Sequence, residues 1–470
     1  MNIFARYFVI LRITLQKMIG KTDKEPQLNI FKIPLKEFID IKYELCLLSK
    51  KIDWEKVEED FSEYYCTDNG RPSIPIRKIV GVILLKRVYN QSDESVVDRW
   101  MENPYWQYFC GETYFQHKQP FDPTELIKFR QRIGESGAEK ILSLTIHLFE
   151  KKEIEEKEVL IDTTVQEKNI TFPTDTKLQK KIIEKCRKIA DKEGIVLRQS
   201  YKRVLKQLMI DQRFRQHPKR RKRANAAARR IKTITGRVVR DIERKMNDKQ
   251  LQKYALELML FKLKLKEQKH TKNKIYSLHE PHTKCIAKGK EAKQYEFGNK
   301  TSIVRTRNSG IIVGALAFNE NIYDGDTLEP QLEQVERLTK HQPESGIVDR
   351  GYRGKKTVGK TKIIIPKKLP VSTNSYQKQK IRKQFRARAG IEPVIGHIKH
   401  DHRMIRNYLS GELGDSMNTM LAAAGFNMKK MLRRLKAQAI NFIFRLFKKV
   451  IYLNSALRYA VVGNNRLFQV

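Results

Sequence analysis

The stretch Val159-Leu160-Ile161-Asp162-Thr163-Thr164 decides how this chain is organised. Three aliphatic residues in a row, followed by polar ones, predict a buried β-strand that ends at Asp162. A second apolar run, residues 347–348, ends in the same way at Asp349. The carboxyl ends of strands are a usual place for ligand sites in α/β folds. Both aspartates are therefore candidate site residues, although an aspartate in this position is also a common turn residue.

The sequence after residue 272 predicts the rest of a sheet. We expect strands at 274–278, 295–297, 302–305, 311–316 and 362–365, with hairpin turns at Gly298-Asn299 and at 308–310. Apolar periodicity predicts helices after Asp326 and after Asp415. Together with the strand that ends at Asp162, these segments indicate an α/β fold whose mixed sheet is flanked by helices.

Residues 35–150 predict an all-helical region that precedes the sheet. Ser73 and Pro75 precede an apolar face of period 3.6 in residues 76–88, and Ser92 is a candidate cap for the next helix. The aromatic residues between 100 and 109 are interpreted as core packing, with base stacking as the alternative. The spacing of the two helices in 76–102 gives only a weak indication of a helix–turn–helix.

Residues 176–270 form a helical block that is rich in Lys and Arg. Between 201 and 245 there are 17 basic residues and three acidic ones. A solvated helix face is the usual interpretation of a charge run, but like charges at i,i+4 repel each other, and a phosphate backbone would relieve that repulsion. The densest part is the predicted DNA-binding tract Lys219, Arg220, Arg221, Lys222 and Arg223, which is expected to join two long helices. A nuclear-targeting signal is the alternative for this tract.

The composition of the whole chain also indicates a polyanionic partner. The 470 residues carry a formal net charge of +42, and the 40% hydrophobic content is sufficient for folding. A ribosomal or RNA-packing protein is the alternative to a DNA-binding one. The five cysteines are scattered and form no C-x-x-C pair, which favours free thiols over a zinc ribbon. We expect no transmembrane helix, and residues 1–17 are a poor signal peptide because Arg12 and Lys17 interrupt them.

A third acidic candidate, Glu392, lies in a basic helical segment. At 100° per residue, Arg388 and Lys399 fall within about 40° of Glu392 on one face of a continuous helix, and so does Phe385. This arrangement fits a metal ligand beside phosphate-binding groups. The alternative is an ordinary Arg–Glu pair at i,i+4. Gly390 and the proline at 393 should restart the helix here, so that the shared face is approximate.

Several other charged residues are weighed against these three acids. The loop after Asp349 places Arg350 and Arg353 beside two glycines, which suits contact with phosphate. Residues 324–326, Asp-Gly-Asp, are expected to cap the following helix. Residues 279–282, His-Glu-Pro-His, lack the spacing that places two histidines on one helical face, so we do not expect them to bind the metal.

The combined motifs resemble the DDE transposases of bacterial insertion sequences, in particular the group often called the IS-five family. The resemblance covers roughly residues 70–430 and rests on the motifs at 70–75, 103–107, 161–165, 278–281, 287–290, 349–354, 390–393 and 421–427. The family pattern around the glutamate is Tyr, two residues, Arg, three residues, Glu, six residues, Lys. Arg388, Glu392 and Lys399 match it, whereas Phe385 replaces the tyrosine, which puts any role for that hydroxyl in doubt.

The resemblance implies a ribonuclease-H-like fold in which Asp162, Asp349 and Glu392 are the catalytic, metal-binding triad. Two Mg²⁺ ions, for which Mn²⁺ can substitute, would support cleavage at the ends of the element and strand transfer into target DNA. The implied partners are double-stranded DNA and a second copy of the chain, and the implied location is the bacterial cytoplasm, at the nucleoid. A repressor from a decayed element and a structure-selective nuclease of the same fold are the alternatives.

The same reasoning gives an expected division of the chain into five parts. These are an amino-terminal extension (1–34), a helical DNA-end-binding domain (35–150), a catalytic domain (151–175 with 271–435), a basic helical insertion (176–270) and an apolar, basic tail (436–470). The tail is either a packing helix or a subunit contact.

Overall fold

The computed structural model describes residues 32–66, 72–268, 270–287, 294–365 and 373–464. Most of the expected amino-terminal extension, including the signal-like segment, lies outside these residues, as do parts of the motifs at 70–75 and 287–290. Across the described ranges, no helix combines the length and the apolar character that a bilayer crossing requires. All five cysteines are free, as the sequence predicted.

The amino-terminal part is helical, as the sequence predicted. It consists of α1 (Leu35–Phe38), α2 (Glu44–Lys51), α3 (Trp54–Ser62), α4 (Ile76–Val88), α5 (Asp93–Glu102), α6 (Pro104–Phe109), α7 (Thr124–Ile146) and α8 (Lys151–Ile154). Ser92 caps α5 through a reciprocal pair with Ser95, but the predicted cap at Ser73 was wrong, because no side chain caps α4. Trp100, Trp106 and Phe109 are buried, which confirms the core interpretation of the aromatic cluster.

The sheet is mixed, as expected, and its described part has eight strands. They are β1 (Glu158–Lys168), β2 (Lys284–Ala287), β3 (Tyr295–Thr306), β4 (Ile312–Phe318), β5 (Ser345–Ile347), β6 (Thr357–Val358), β7 (Thr361–Ile364) and β8 (Arg406–Asn407). The order is β2-β3-β1-β5-β7-β6, with β4 also paired to β3 and β8 to β1. The pairs β1/β5 and β5/β7 are parallel, whereas β1/β3, β3/β4 and β6/β7 are antiparallel.

Two of the predictions for strands and turns need correction. The segment 274–278 is not a strand. Its residues Ile275 and Leu278 are buried against the basic helices instead of in the sheet. Gly298-Asn299 is not a turn, since β3 runs straight through it. A Cβ at Gly298 would lie 1.9 Å from the carbonyl oxygen of Gln166, so glycine is required there by close strand approach. The turn at 308–310 is confirmed, with Thr306 N donating to the Ile311 carbonyl.

The basic block consists of α9 (Asp175–Glu193), α10 (Lys202–Gln212), α11 (Arg221–Lys245) and α12 (Asp248–Lys266). These helices share a hydrophobic cluster whose buried members all lie between residues 178 and 278. The apolar face of α11 includes Ile231, Ile234 and Val238, so its many cations project from the opposite face. The expected tract at 219–223 is the connection between α10 and α11 together with the first residues of α11.

A larger core unites the amino-terminal helices with the sheet. The remaining helices are α13 (Leu328–Thr339), α14 (Ser375–Ala389), α15 (Ile391–Asp401) and α16 (Gly411–Asn464). Helices α13, α15 and α16 contribute buried side chains to this core. Helix α16 packs against α7, α4 and β4, and its Ala422, Ala423 and Ala424 are fully buried. The expected helix after Asp415 is present but begins earlier, at Gly411, and it continues through the predicted tail to Asn464.

Candidate active site

Asp162 and Asp349 occupy neighbouring strands at the same level of the sheet. Strand β1 pairs in parallel with β5, and Leu160 is level with Ile347. Asp162 and Asp349 each come two residues after these partners. Because adjacent strands lie about 4.8 Å apart, the two aspartates are close neighbours. The expectation that Asp162 ends its strand was wrong, because β1 continues to Lys168 by pairing with β3 on its other side. Asp162 instead lies two residues beyond Leu160, the last residue of β1 that pairs with β5.

Glu392 is brought to the same place by a small aliphatic cluster. Leu160, Ile347 and Ile391 are fully buried against one another. The first two precede Asp162 and Asp349 by two positions, and the third precedes Glu392 by one. Hydrophobic packing of these three side chains therefore holds the backbone of all three acids around one region, although they come from distant parts of the sequence.

The helix restart predicted before Glu392 is present. Helix α14 ends at Ala389 and α15 begins at Ile391, with Gly390 between them. Arg305 of β3 fixes this junction, because its Nη1 donates to the Gly390 carbonyl at 2.9 Å. Glu392 lies in the first turn of α15, where the partial positive charge of the helix terminus favours a carboxylate.

Arg388 contacts two of the three acids. Its Nη2 is 2.5 Å from Glu392 Oε1, and its Nη1 is 3.8 Å from Asp349 Oδ2. The i,i+4 pair that the sequence left as an alternative is therefore formed. The guanidinium lies between two carboxylates and partly offsets their mutual repulsion.

The remaining residues of the predicted site lie around these acids with different exposures. Arg350 and Arg353 are exposed on the loop that follows Asp349, and Lys399 is half-buried further along α15. Phe385, in place of the expected tyrosine, is 36% exposed on α14. Gly351 N donates to Asp349 Oδ1 at 2.8 Å, which fixes the orientation of that carboxylate.

A fourth carboxylate, Asp324, lies in this region and was missed by sequence reasoning. Thr163 Oγ1 and Lys300 Nζ each donate to Asp324 Oδ1 at 2.9 Å. The expectation that Asp324 caps a helix was wrong: the Asp324–Thr327 turn and α13 both begin without a side-chain cap. Its side chain faces β1 and β3 instead, and no local sequence signal indicates that contact.

Tyr352 lies beneath the acids and is fully buried. Its hydroxyl is close to Thr163 but makes no hydrogen bond of good geometry within the described residues. Burial, followed by the charges of Asp162 and Asp324, raises the pKa of the Tyr352 phenol well above its ordinary value. The phenol is therefore a neutral donor at physiological pH.

The donor set fits a hard divalent cation. All four acidic groups offer carboxylate oxygens, which Mg²⁺ and Mn²⁺ prefer, and no thiol or imidazole accompanies them. Asp162, Asp349 and Glu392 are the residues that would hold such ions. In the described part of the chain, no three His, Cys, Asp or Glu side chains are grouped closely enough to coordinate an ion. Arg388, which lies between Asp349 and Glu392, would have to move for that grouping to form.

The predicted DNA-binding tract is exposed along its whole length. Arg223 pairs with Asp211 at 2.9 Å, and Arg220 lies over the ring of Phe214. Among the described side chains, none forms an ion pair with Lys219, Arg221 or Lys222. These three cations are the ones most available to an external polyanion.

The motif at 279–282 lies away from the three acids, as expected. Glu280 and His282 join Lys168 and Asp415 in a buried network at the far end of β1, six residues beyond Asp162. Six residues of extended strand span about 20 Å. The motif is therefore part of the structural core of this region.

Comparison with known proteins identifies the family. Residues 33–132 match the family model described as "Transposase domain (DUF772)", and residues 351–432 match the one described as "Transposase DDE domain". A relative from Rhizobium meliloti, named "Uncharacterized protein ORF8 in nfe locus", is 38% identical over 193 residues, which are 40% of this chain and 93% of the relative. No solved structure is significantly similar to the chain. The chain belongs to the DDE-type insertion-sequence transposases.

Proposed function

We propose that this transposase cleaves DNA at the ends of its insertion sequence and joins them to target DNA, with Asp162, Asp349 and Glu392 as its metal-binding, catalytic triad. The observation that supports this most is the shared aliphatic cluster of Leu160, Ile347 and Ile391, next to which all three acids stand. The mixed sheet with flanking helices agrees with a ribonuclease-H-like catalytic fold, which forms part of the proposal. The proposal also includes assignment to the IS-five group and a location in the bacterial cytoplasm, at the nucleoid.

A pair of divalent cations, Mg²⁺ or Mn²⁺, would supply nucleophile activation and charge stabilisation during in-line phosphodiester displacement. The chain's own groups would then position the DNA. Arg388 would release Glu392 and Asp349 and contact a backbone phosphate, together with Lys399 of the following helix, α15. The exposed Arg350 and Arg353 would hold the backbone on the other side of Asp349.

The basic helices would supply most of the affinity for DNA. Lys219, Arg221 and Lys222 are exposed and lack partner charges among the described residues, and the rest of the 219–223 tract extends the same surface. The five-part division expected from the sequence belongs to this proposal. In it the helices of 35–150 bind the ends of the element, the helices of 176–270 extend the DNA contact, and two copies act together on DNA.

A donor assay separates this function from its two rivals. Purified protein is incubated with Mg²⁺ and a labelled DNA that carries the element's own ends, and the products are resolved by size. Joined products support the transposase proposed here. Nicked ends without joining would support a nuclease, and retention of intact DNA alone would support a repressor.

A further inference from the structure

The orientation of Asp324 relative to the three acids has a specific cause. Its Oδ1 accepts from Thr163 on β1 and from Lys300 on β3, and Lys300 is itself held by the Ile322 carbonyl at 2.6 Å. Lys300 is only 12% exposed and Asp324 28%. A carboxylate with two fixed donors on one oxygen has a defined direction for the other oxygen.

The second oxygen of Asp324 and Oδ1 of Asp349 both lie next to Gly351. A Cβ placed on Gly351 would lie 2.9 Å from Asp349 Oδ1 and 3.0 Å from Asp324 Oδ2, so these two oxygens are at most 5.9 Å apart. Glycine is therefore the residue that lets the two carboxylates converge. Within the described residues, no hydrogen-bond donor reaches Asp324 Oδ2.

An independent feature indicates that a ligand belongs between these acids. Within the described residues, the Tyr352 hydroxyl is buried without a well-formed hydrogen bond, and the charges of Asp162, Asp324 and Asp349 all act on it. A buried donor without a partner is costly, and in native structures such a group usually has an explanation such as an ion or a water. A hydrated cation between the carboxylates would supply a water oxygen to accept from it.

We propose that Asp324 is a fourth carboxylate of the divalent-cation centre, oriented toward the ion by Lys300 and Thr163. The inference rests on the proposed function, because it presupposes a metal centre at Asp162 and Asp349. It adds a ligand from the connection between β4 and α13. Lys300 keeps the net charge of the enlarged centre equal to that of the triad alone.

Radical footprinting tests the position of the ion in the unmodified protein. Fe²⁺ bound in place of Mg²⁺, with ascorbate and peroxide, cuts the backbone close to the ion. We expect cuts at 160–164, at 347–353 and also at 322–326, all suppressed by excess Mg²⁺. Cuts at the first two segments without the third would overturn the role of Asp324 and leave the triad intact. The absence of cuts at all three would instead contradict the metal centre, and with it the proposed function.

Manganese binding provides the second test, with a matched control two residues away. Mn²⁺ affinity is measured on the DNA-free protein from the loss of the free-ion spin-resonance signal. Asp324→Asn, which preserves shape and the Oδ1 acceptor, should weaken binding about 10-fold or more. Asp326→Asn removes the same charge from the same turn, but Asp326 is 62% exposed and 4.0 Å from Lys355, so its affinity should be unchanged. Equal effects of the two variants, or none from Asp324→Asn, would overturn the proposal. If the first variant fails to fold, the footprint decides.

Discussion

Strand β1 holds acidic groups in opposite ways at its Lys168 end and around Asp162, near its middle. At the Lys168 end, Asp415 and Glu280 are buried, and Lys168 lies 2.8 Å and 3.2 Å from their carboxylates. Asn407 and His282 supply further hydrogen bonds to Asp415. Around Asp162, Arg388 lies between Asp349 and Glu392 and Lys300 pairs with Asp324, and these three acids are partly or largely exposed.

This difference distinguishes structural acids from those proposed to function in catalysis. A buried carboxylate must be paired and fully hydrogen-bonded, because an isolated buried charge is very costly. The network around Lys168 meets that condition and needs nothing more. The acids Asp324, Asp349 and Glu392 stay accessible to solvent, and we propose that a cation binds among them and Asp162.

The three proposed triad residues should be indispensable for chemistry and dispensable for folding. Asp162→Asn, Asp349→Asn and Glu392→Gln keep the shape but remove a ligating charge. Each should lower end cleavage by about 1000-fold and leave DNA binding and thermal stability nearly unchanged. A gel assay measures end cleavage, and anisotropy measures DNA binding. Near-normal cleavage in Mg²⁺ would remove that residue from the triad.

The Lys168 end should behave in the reverse way. Lys168→Met leaves Glu280 and Asp415 buried without their main cation, and breaking such a pair typically costs about 3–5 kcal/mol. We expect a loss of this size in urea unfolding. Lys300→Met, which removes the cation on β3 that pairs with the partly exposed Asp324, is the control and should cost much less. Comparable losses for the two variants would show that the two groups of acids do not differ as described.

Arg388 and Lys399 should affect the rate more than the affinity. Arg388→Ala and Lys399→Ala should each lower the single-turnover cleavage rate at saturating DNA by about 10- to 100-fold, because charge next to the reacting phosphate matters most in the transition state. Arg388→Lys retains the charge but loses the forked geometry of the guanidinium, and its cleavage rate should lie between those of the unmodified protein and Arg388→Ala. If DNA affinity falls and the cleavage rate at saturating DNA does not, these residues only hold the DNA and do not contribute to the rate.

The basic tract should contribute affinity without sequence preference. Replacing Lys219, Arg221 and Lys222 together with Gln should weaken binding to all DNA sequences alike and reduce the salt slope by roughly one per lost phosphate contact. Arg223→Gln is the control, because Asp211 already offsets its charge, and its effect should be smaller than that of any one of the three. An unchanged salt slope for the triple variant would mean that this surface is merely solvated.

Much of the fold could be predicted from local sequence, and the errors share one origin. Helices with a clear 3.6-residue period, such as Ile76–Val88 and Leu328–Thr339, lie where expected. Segment 274–278 has strand-like composition, yet Ile275 and Leu278 pack on the basic helices. Gly298-Asn299 has turn-like composition, yet β1 and β2 pair with that part of β3 on both sides. In each case neighbours distant in sequence outweighed local propensity.

The sequence alone indicated candidate residues for the chemistry. Acids that follow aliphatic runs, a glutamate in a basic helical segment and a lopsided charge are local properties, and they indicated Asp162, Asp349 and Glu392 as candidates. The tertiary structure decided which other groups join them. Asp324 reaches Thr163 across 161 residues of sequence, and Lys168 reaches Asp415 across an even longer stretch. Such pairs carry no periodic signal, because a hydrogen bond depends on the distance between two folded segments and not on the spacing along either one.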